Sequence, residues 1–103
     1  MNIAATNWVT IRAMPGQAHA VGAMLAPMLE QLRGADGCLS YIATQSAHDP
    51  DRWSVVGNWS GQRHMNAHFQ HRALEAYGQL LQGAIIQSIG FDCLLLEEPE
   101  HGA

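Results

Sequence analysis

The sequence predicts one α+β domain with the element order β-α-β-β-α-β, and three observations carry that prediction. Apolar residues recur with a period of two in three segments and with helical spacing between them. Turn-forming residues separate the segments. The length of 103 residues suits one core, because a chain of this size hides roughly two thirds of its unfolded surface on folding.

The first strand is read where Ile3, Ala5, Asn7, Val9, Ile11 and Ala13 alternate with Asn2, Ala4, Thr6, Trp8, Thr10 and Arg12. Met14-Pro15-Gly16 breaks that period. From Gln17 the positions Val21, Met24, Leu25, Met28 and Leu32 mark one face of a helix. Pro27 lies inside it, lacks an amide donor and crowds the carbonyl of Ala23, so a kink or break is expected there. Gly34-Ala35-Asp36-Gly37 ends the helix. A second strand follows at Cys38 to Gln45, then the turn Asp49-Pro50-Asp51, then a third strand in which Trp53, Val55, Gly57 and Trp59 share one side. Ser60 is a candidate N-cap for a helix from about Gly61 to His71. A further helical piece, about Arg72 to Gln82, turns Leu74, Tyr77, Leu80 and Leu81 inward, and Gly83 closes it. The last strand is drawn from Ile86 to Leu96, and residues 97–103 form an acidic, solvated tail. The result is a ferredoxin-like, four-stranded antiparallel sheet with helices on one face. Its other face would carry Trp8, Ile42 and Val56, an apolar surface that two copies could hide by packing sheet on sheet.

Composition narrows the function classes. The chain is 48% hydrophobic and 14% charged, which fits a homodimer or a ligand cavity. A net charge of −4 with five scattered Lys and Arg offers no stripe for nucleic acid. No apolar stretch approaches the roughly 20 residues of a membrane span, and no export signal opens the chain, so a cytoplasmic protein is expected. Cys38 and Cys93 lack the spacing of a zinc site or a disulfide scaffold and are read as reduced and buried.

Four motifs, taken in order, carry a resemblance: Met14-Pro15-Gly16-Gln17, Asp36-Gly37-Cys38-Leu39-Ser40-Tyr41, Asp49-Pro50-Asp51-Arg52, and Asn58-Trp59-Ser60 leading to Ala67-His68-Phe69. Over residues 3–98 the chain resembles the antibiotic biosynthesis monooxygenase family. The resemblance implies a dimeric α+β barrel with a pocket between sheet and helices in each subunit, and relatives that include cofactor-free monooxygenases of phenols and haem-degrading enzymes. Haem degraders carry an Asn on the first strand, seven residues before its closing Gly, and a Trp and a His on the later helices. Counted that way this chain has Val9 and His68 at the Asn and Trp places, a departure that separates it from haem degradation.

His68 is the candidate catalytic base, since a neutral imidazole can take a proton from a phenolic substrate whose carbanion then reacts with oxygen. A structural, backbone-bonded His is the competing role. Trp59 and Tyr41 offer aromatic surface to a planar ligand, Tyr77 a hydroxyl to close the cavity, and Asn58 a polar contact, although alternation sets Asn58 opposite Trp59. His64 joins His68 and His71 on a possible helical stripe, without a carboxylate or Cys to complete a metal set. Met24, Met28 and Met65 are read as filling between helices and sheet. No phosphate-cradling loop, Ser-His-Asp set or carboxylate pair is present, so no cofactor is expected. The expected partners are a second copy, a small aromatic molecule and O2. The reading is a cofactor-independent monooxygenase of a phenolic or quinonoid substrate; the alternative is a non-catalytic ligand-binding or stress-response module on the same barrel.

Overall fold

The computed structural model describes residues 2–96, and the expected acidic tail lies outside them. The order is β1 (Ala5–Ala13), α1 (Ala18–Arg33), β2 (Cys38–Gln45), β3 (Arg52–Trp59), α2 (Gln62–His68), a 3₁₀ turn (Arg72–Leu74), α3 (Glu75–Gln82) and β4 (Ile86–Leu95). The strands form one sheet in the order β2-β3-β1-β4, and every neighbouring pair is antiparallel. This is the ferredoxin-like architecture that the alternation of periods predicts.

Strand parity decides what is buried. Ala5, Asn7, Val9, Ile11 and Ala13 of β1 all point to the helices and are buried, while the residues between them are half-exposed. Val21, Leu25, Met28, Leu29 and Leu32 of α1 cover that face, and Met65, Tyr77 and Leu80 extend the same core. At roughly 1.5–3 kcal/mol per fully buried large apolar side chain, this layer is the main source of stability.

Several local expectations change. α1 runs through Pro27 without a break, with the proline on an exposed side of the helix. Ser60 does not cap α2: Gly61 holds that place, and the Ser60 amide donates to the Gly37 carbonyl instead (2.9 Å). α2 ends at His68, three residues short of His71, whose Nδ1 accepts from the Ala73 amide (3.0 Å) and starts the 3₁₀ turn. Leu81 is exposed rather than inward, since α3 offers only Tyr77 and Leu80 to the core. Cys93 is likewise exposed, on β4, and Cys38 is half-buried, at the start of β2.

The other sheet face carries a cross-strand row of Ile42, Val56 and Trp8, ending at Asp92. Ile42 is 52% exposed and Leu94 50%. A polar row runs beside it, in which Thr6 donates to Asn58 (2.8 Å) and Asn58 to Ser40 (3.0 Å). Among the described residues no helix is long and apolar enough to cross a membrane.

Candidate active site

The site grows out of one cross-strand row on the helix face, Tyr41 (β2), Gly57 (β3), Asn7 (β1) and Cys93 (β4). Gly57 has no side chain, and the space it leaves lets its two neighbours meet above the strand. A Cβ there would lie 2.6 Å from Asn7 Oδ1 and overlap the Tyr41 ring. Asn7 Nδ2 therefore reaches the Tyr41 hydroxyl at 3.0 Å. Trp59, two residues along β3, donates its indole N–H to Asn7 Oδ1 at 2.7 Å. From α2, His68 sets Nε2 3.2 Å from the Tyr41 hydroxyl and Nδ1 against the Met65 carbonyl.

All four side chains are at most 4% exposed. The His68 ring lies tilted over the Trp59 indole at 4.4 Å between centroids, and Tyr41 meets both edge-on. Burial pushes the His68 pKa down and so favours the neutral ring, outweighing the Met65 carbonyl, which pulls the other way. Burial pushes the Tyr41 phenol up, and the Asn7 N–H that would welcome a phenolate only moderates this. Tyr77 is raised much further, by burial first and then by the Tyr41 phenol beside it. Apart from the Tyr41 hydroxyl beside it, the buried Tyr77 hydroxyl has no hydrogen-bond partner among the described residues.

A pocket of about 340 Å³ opens on the other side of Asn7, between β1, β4 and the end of α2. Asn7, Val9, Phe69, Phe91 and Cys93 line it, together with Trp8 and Asp92. Phe69 is 47% and Phe91 60% exposed, so two phenyl rings stand open to a guest. Phe69 stacks obliquely on His68 at 4.6 Å, and Phe91 takes the edge of Tyr77 at 5.5 Å. The volume sits at the small end of ligand sites.

The sequence-predicted residues divide. His68, Tyr41 and Trp59 come together, but behind Asn7 rather than on the pocket wall, and Tyr77 reaches the pocket only through Phe91. Asn58 lies on the opposite sheet face, as strict alternation requires, and does not join the cluster. His64 packs over Gly37, whose φ of +78° and missing side chain make room for the ring. With α2 ending at His68 the histidine stripe dissolves, and no metal-holding group of three His, Cys, Asp or Glu forms among the described residues. Sequence reasoning missed Asn7, Phe69, Phe91 and Cys93. The available signal for Asn7 was a polar residue on the apolar phase of β1. An Asn, a Trp and a His do meet here, as Asn7, Trp59 and His68, but the position counted in the sequence remains Val9, two residues beyond Asn7, and Trp59 stands on β3 rather than on a helix.

The chain is thus an α+β domain with an enclosed polar cluster beside an aromatic-walled pocket. The family model for antibiotic biosynthesis monooxygenase matches residues 5–80. The chain therefore belongs to the antibiotic biosynthesis monooxygenase family. Its fold is shared with a Pseudomonas aeruginosa protein at 24% identity and a TM-score of 0.78, covering 95% of this chain and 98% of that one. It is shared with a Deinococcus radiodurans protein described as a candidate antibiotic biosynthesis monooxygenase, at 18% identity and a TM-score of 0.81, over 93% and 95% of the two chains. A Mycobacterium tuberculosis protein gives 19% identity and a TM-score of 0.74 over 93% and 98%. No curated protein matches at a significant level.

Proposed function

We propose that this chain is a monooxygenase that oxidises a small phenolic or quinonoid aromatic with O2 and no organic cofactor. The observation that carries the reading is the pocket between Phe69 and Phe91 with Asn7 as its polar element, backed by a buried imidazole. The two rings would hold a planar guest, and an Asn7 N–H would stabilise the oxyanion formed when the substrate loses a proton. Tyr41 would take the substrate proton while passing its own to His68 Nε2, so His68 serves as base for a substrate that reaches past Asn7 to the Tyr41 oxygen. The resulting electron-rich carbanion reduces O2: for an anthrone, one CH2 becomes C=O, one oxygen atom enters the product and the other leaves as water. Substrate electrons suffice, so no external reductant is required.

In the same reading two copies pack over the row of Ile42, Val56 and Trp8, which leaves each helix side free for its pocket. Oxygen uptake with a panel of anthrones and hydroquinones tests the activity, comparing the chain with its Asn7→Ala and His68→Ala variants. Turnover that falls in both supports the reading. Binding without oxygen uptake assigns the chain to the non-catalytic ligand-binding alternative. Unaltered turnover in His68→Ala removes the base.

The Asn7, Trp59 and His68 trio also favours a second reading, haem as substrate. It requires His68 to leave both the Met65 carbonyl and the Tyr41 hydroxyl, since both of its nitrogens are engaged. A Soret band on titration with haemin, lost in His68→Ala, supports that reading, and its absence eliminates it.

A further inference from the structure

We infer that Trp59 is a positioning residue that locks the Asn7 amide, so that the pocket presents a hydrogen-bond donor and selects ligands carrying an acceptor oxygen. The inference deepens the proposed function, on which its choice of aromatic ligand rests.

Groups that can only donate or only accept fix the direction of each hydrogen bond in the cluster. An indole N–H is a donor alone, so the Asn7 atom 2.7 Å from Trp59 Nε1 is its carbonyl oxygen. The amide then cannot flip, and its NH2 must face Tyr41. Asn7 spends one N–H on the Tyr41 oxygen, which leaves the single Tyr41 hydrogen to donate to His68 Nε2. At the far end a backbone carbonyl, that of Met65, can only accept, so Nδ1 carries the His68 proton. The links run in one direction, Trp59 to Asn7 to Tyr41 to His68 to Met65, with a pure donor at one end and a pure acceptor at the other. Such chains polarise their members and reinforce one orientation. Of the polar atoms in the chain, the second N–H of Asn7 is the donor left over, and Asn7 is the chain member that lines the pocket. A carbonyl or phenolate oxygen satisfies that donor, whereas a bare hydrocarbon leaves it unpaired.

The wild-type protein supplies the first measurement, the His68 tautomer by 15N NMR near pH 8. The chain requires protonated Nδ1 and unprotonated Nε2. The second is the affinity for anthraquinone-2-sulfonate against anthracene-2-sulfonate, in wild type and in Trp59→Phe. The wild type should prefer the quinone by about tenfold, as one buried donor satisfied or orphaned implies. In Trp59→Phe, with the ring kept and the N–H gone, the preference should collapse towards one while anthracene-2-sulfonate binds as before. A protonated Nε2, or a variant that keeps the preference, overturns the lock. A Trp59→Phe variant that loses both ligands equally also overturns it, because Trp59 is then a stacking surface. If neither compound binds the wild type, the aromatic-substrate reading fails by itself, and the tautomer still decides the lock.

Discussion

Gly57→Ala is the most demanding single-atom test of the site. The added methyl would lie 2.6 Å from Asn7 Oδ1 and overlap the Tyr41 ring, and both groups are buried and hydrogen-bonded to each other. Neither can retreat without breaking the bond between them or pushing on Trp59 and His68. Overpacking a close-packed site costs about 1–3 kcal/mol, and a buried donor left without its partner costs about 1–3 kcal/mol more. The lower entropy of the unfolded Ala chain returns about 0.4–1 kcal/mol. The net loss should be near 3 kcal/mol, which for a domain of 103 residues lowers Tm by roughly 14 °C. Thermal and urea unfolding at one fixed protein concentration would measure it. A Tm within about 4 °C of wild type, with the His68 tautomer unchanged, would refute the claim that Asn7 and Tyr41 depend on the bare Gly57 position.

Gly22→Ala in α1 should destabilise, although Ala for Gly in a helix ordinarily gains about 1 kcal/mol. The new Cβ would meet the Trp53 ring at 2.6 Å, and that indole is pinned by its N–H to the Ala18 carbonyl (3.0 Å); urea unfolding reads the sign. His68, whose pKa burial holds below its ordinary value of about 6.5, gives a pH dependence with a definite sign. The unfolded chain takes up this proton first as pH falls, so His68's contribution is whole above about 6.5 and is lost as pH drops from there to the folded pKa. Unfolding of wild type and His68→Gln between pH 8 and 5 should show a steeper loss in wild type. In the proposed dimer Val56 sits at the middle of the uncovered row, half-exposed in the single chain, so Val56→Lys should sediment as a folded monomer where the wild type sediments as a dimer; a monomeric wild type refutes the pairing, and a dimeric variant moves the interface elsewhere.

The sequence by itself determined the architecture, because burial in a sheet follows parity and in a helix follows a period near 3.6, and both can be counted in residues such as Val9, Ile11, Val21 and Leu25. It also separated the two sheet faces, which is why Ile42, Val56 and Trp8 were placed together and Asn58 apart from Trp59. Local ends were less legible: Ser60 has the chemistry of a cap, yet the backbone between β3 and α2 gives its amide to Gly37 and leaves Gly61 as the cap. The site was half visible. His68, Tyr41 and Trp59 stand out as residue types, but only the register of three strands brings Asn7 level with Gly57 and Tyr41, and only the early end of α2 leaves Phe69 to face Phe91 across the pocket. Parity belongs to each strand separately, whereas register, and with it the partner across each hydrogen bond, belongs to the folded sheet as a whole.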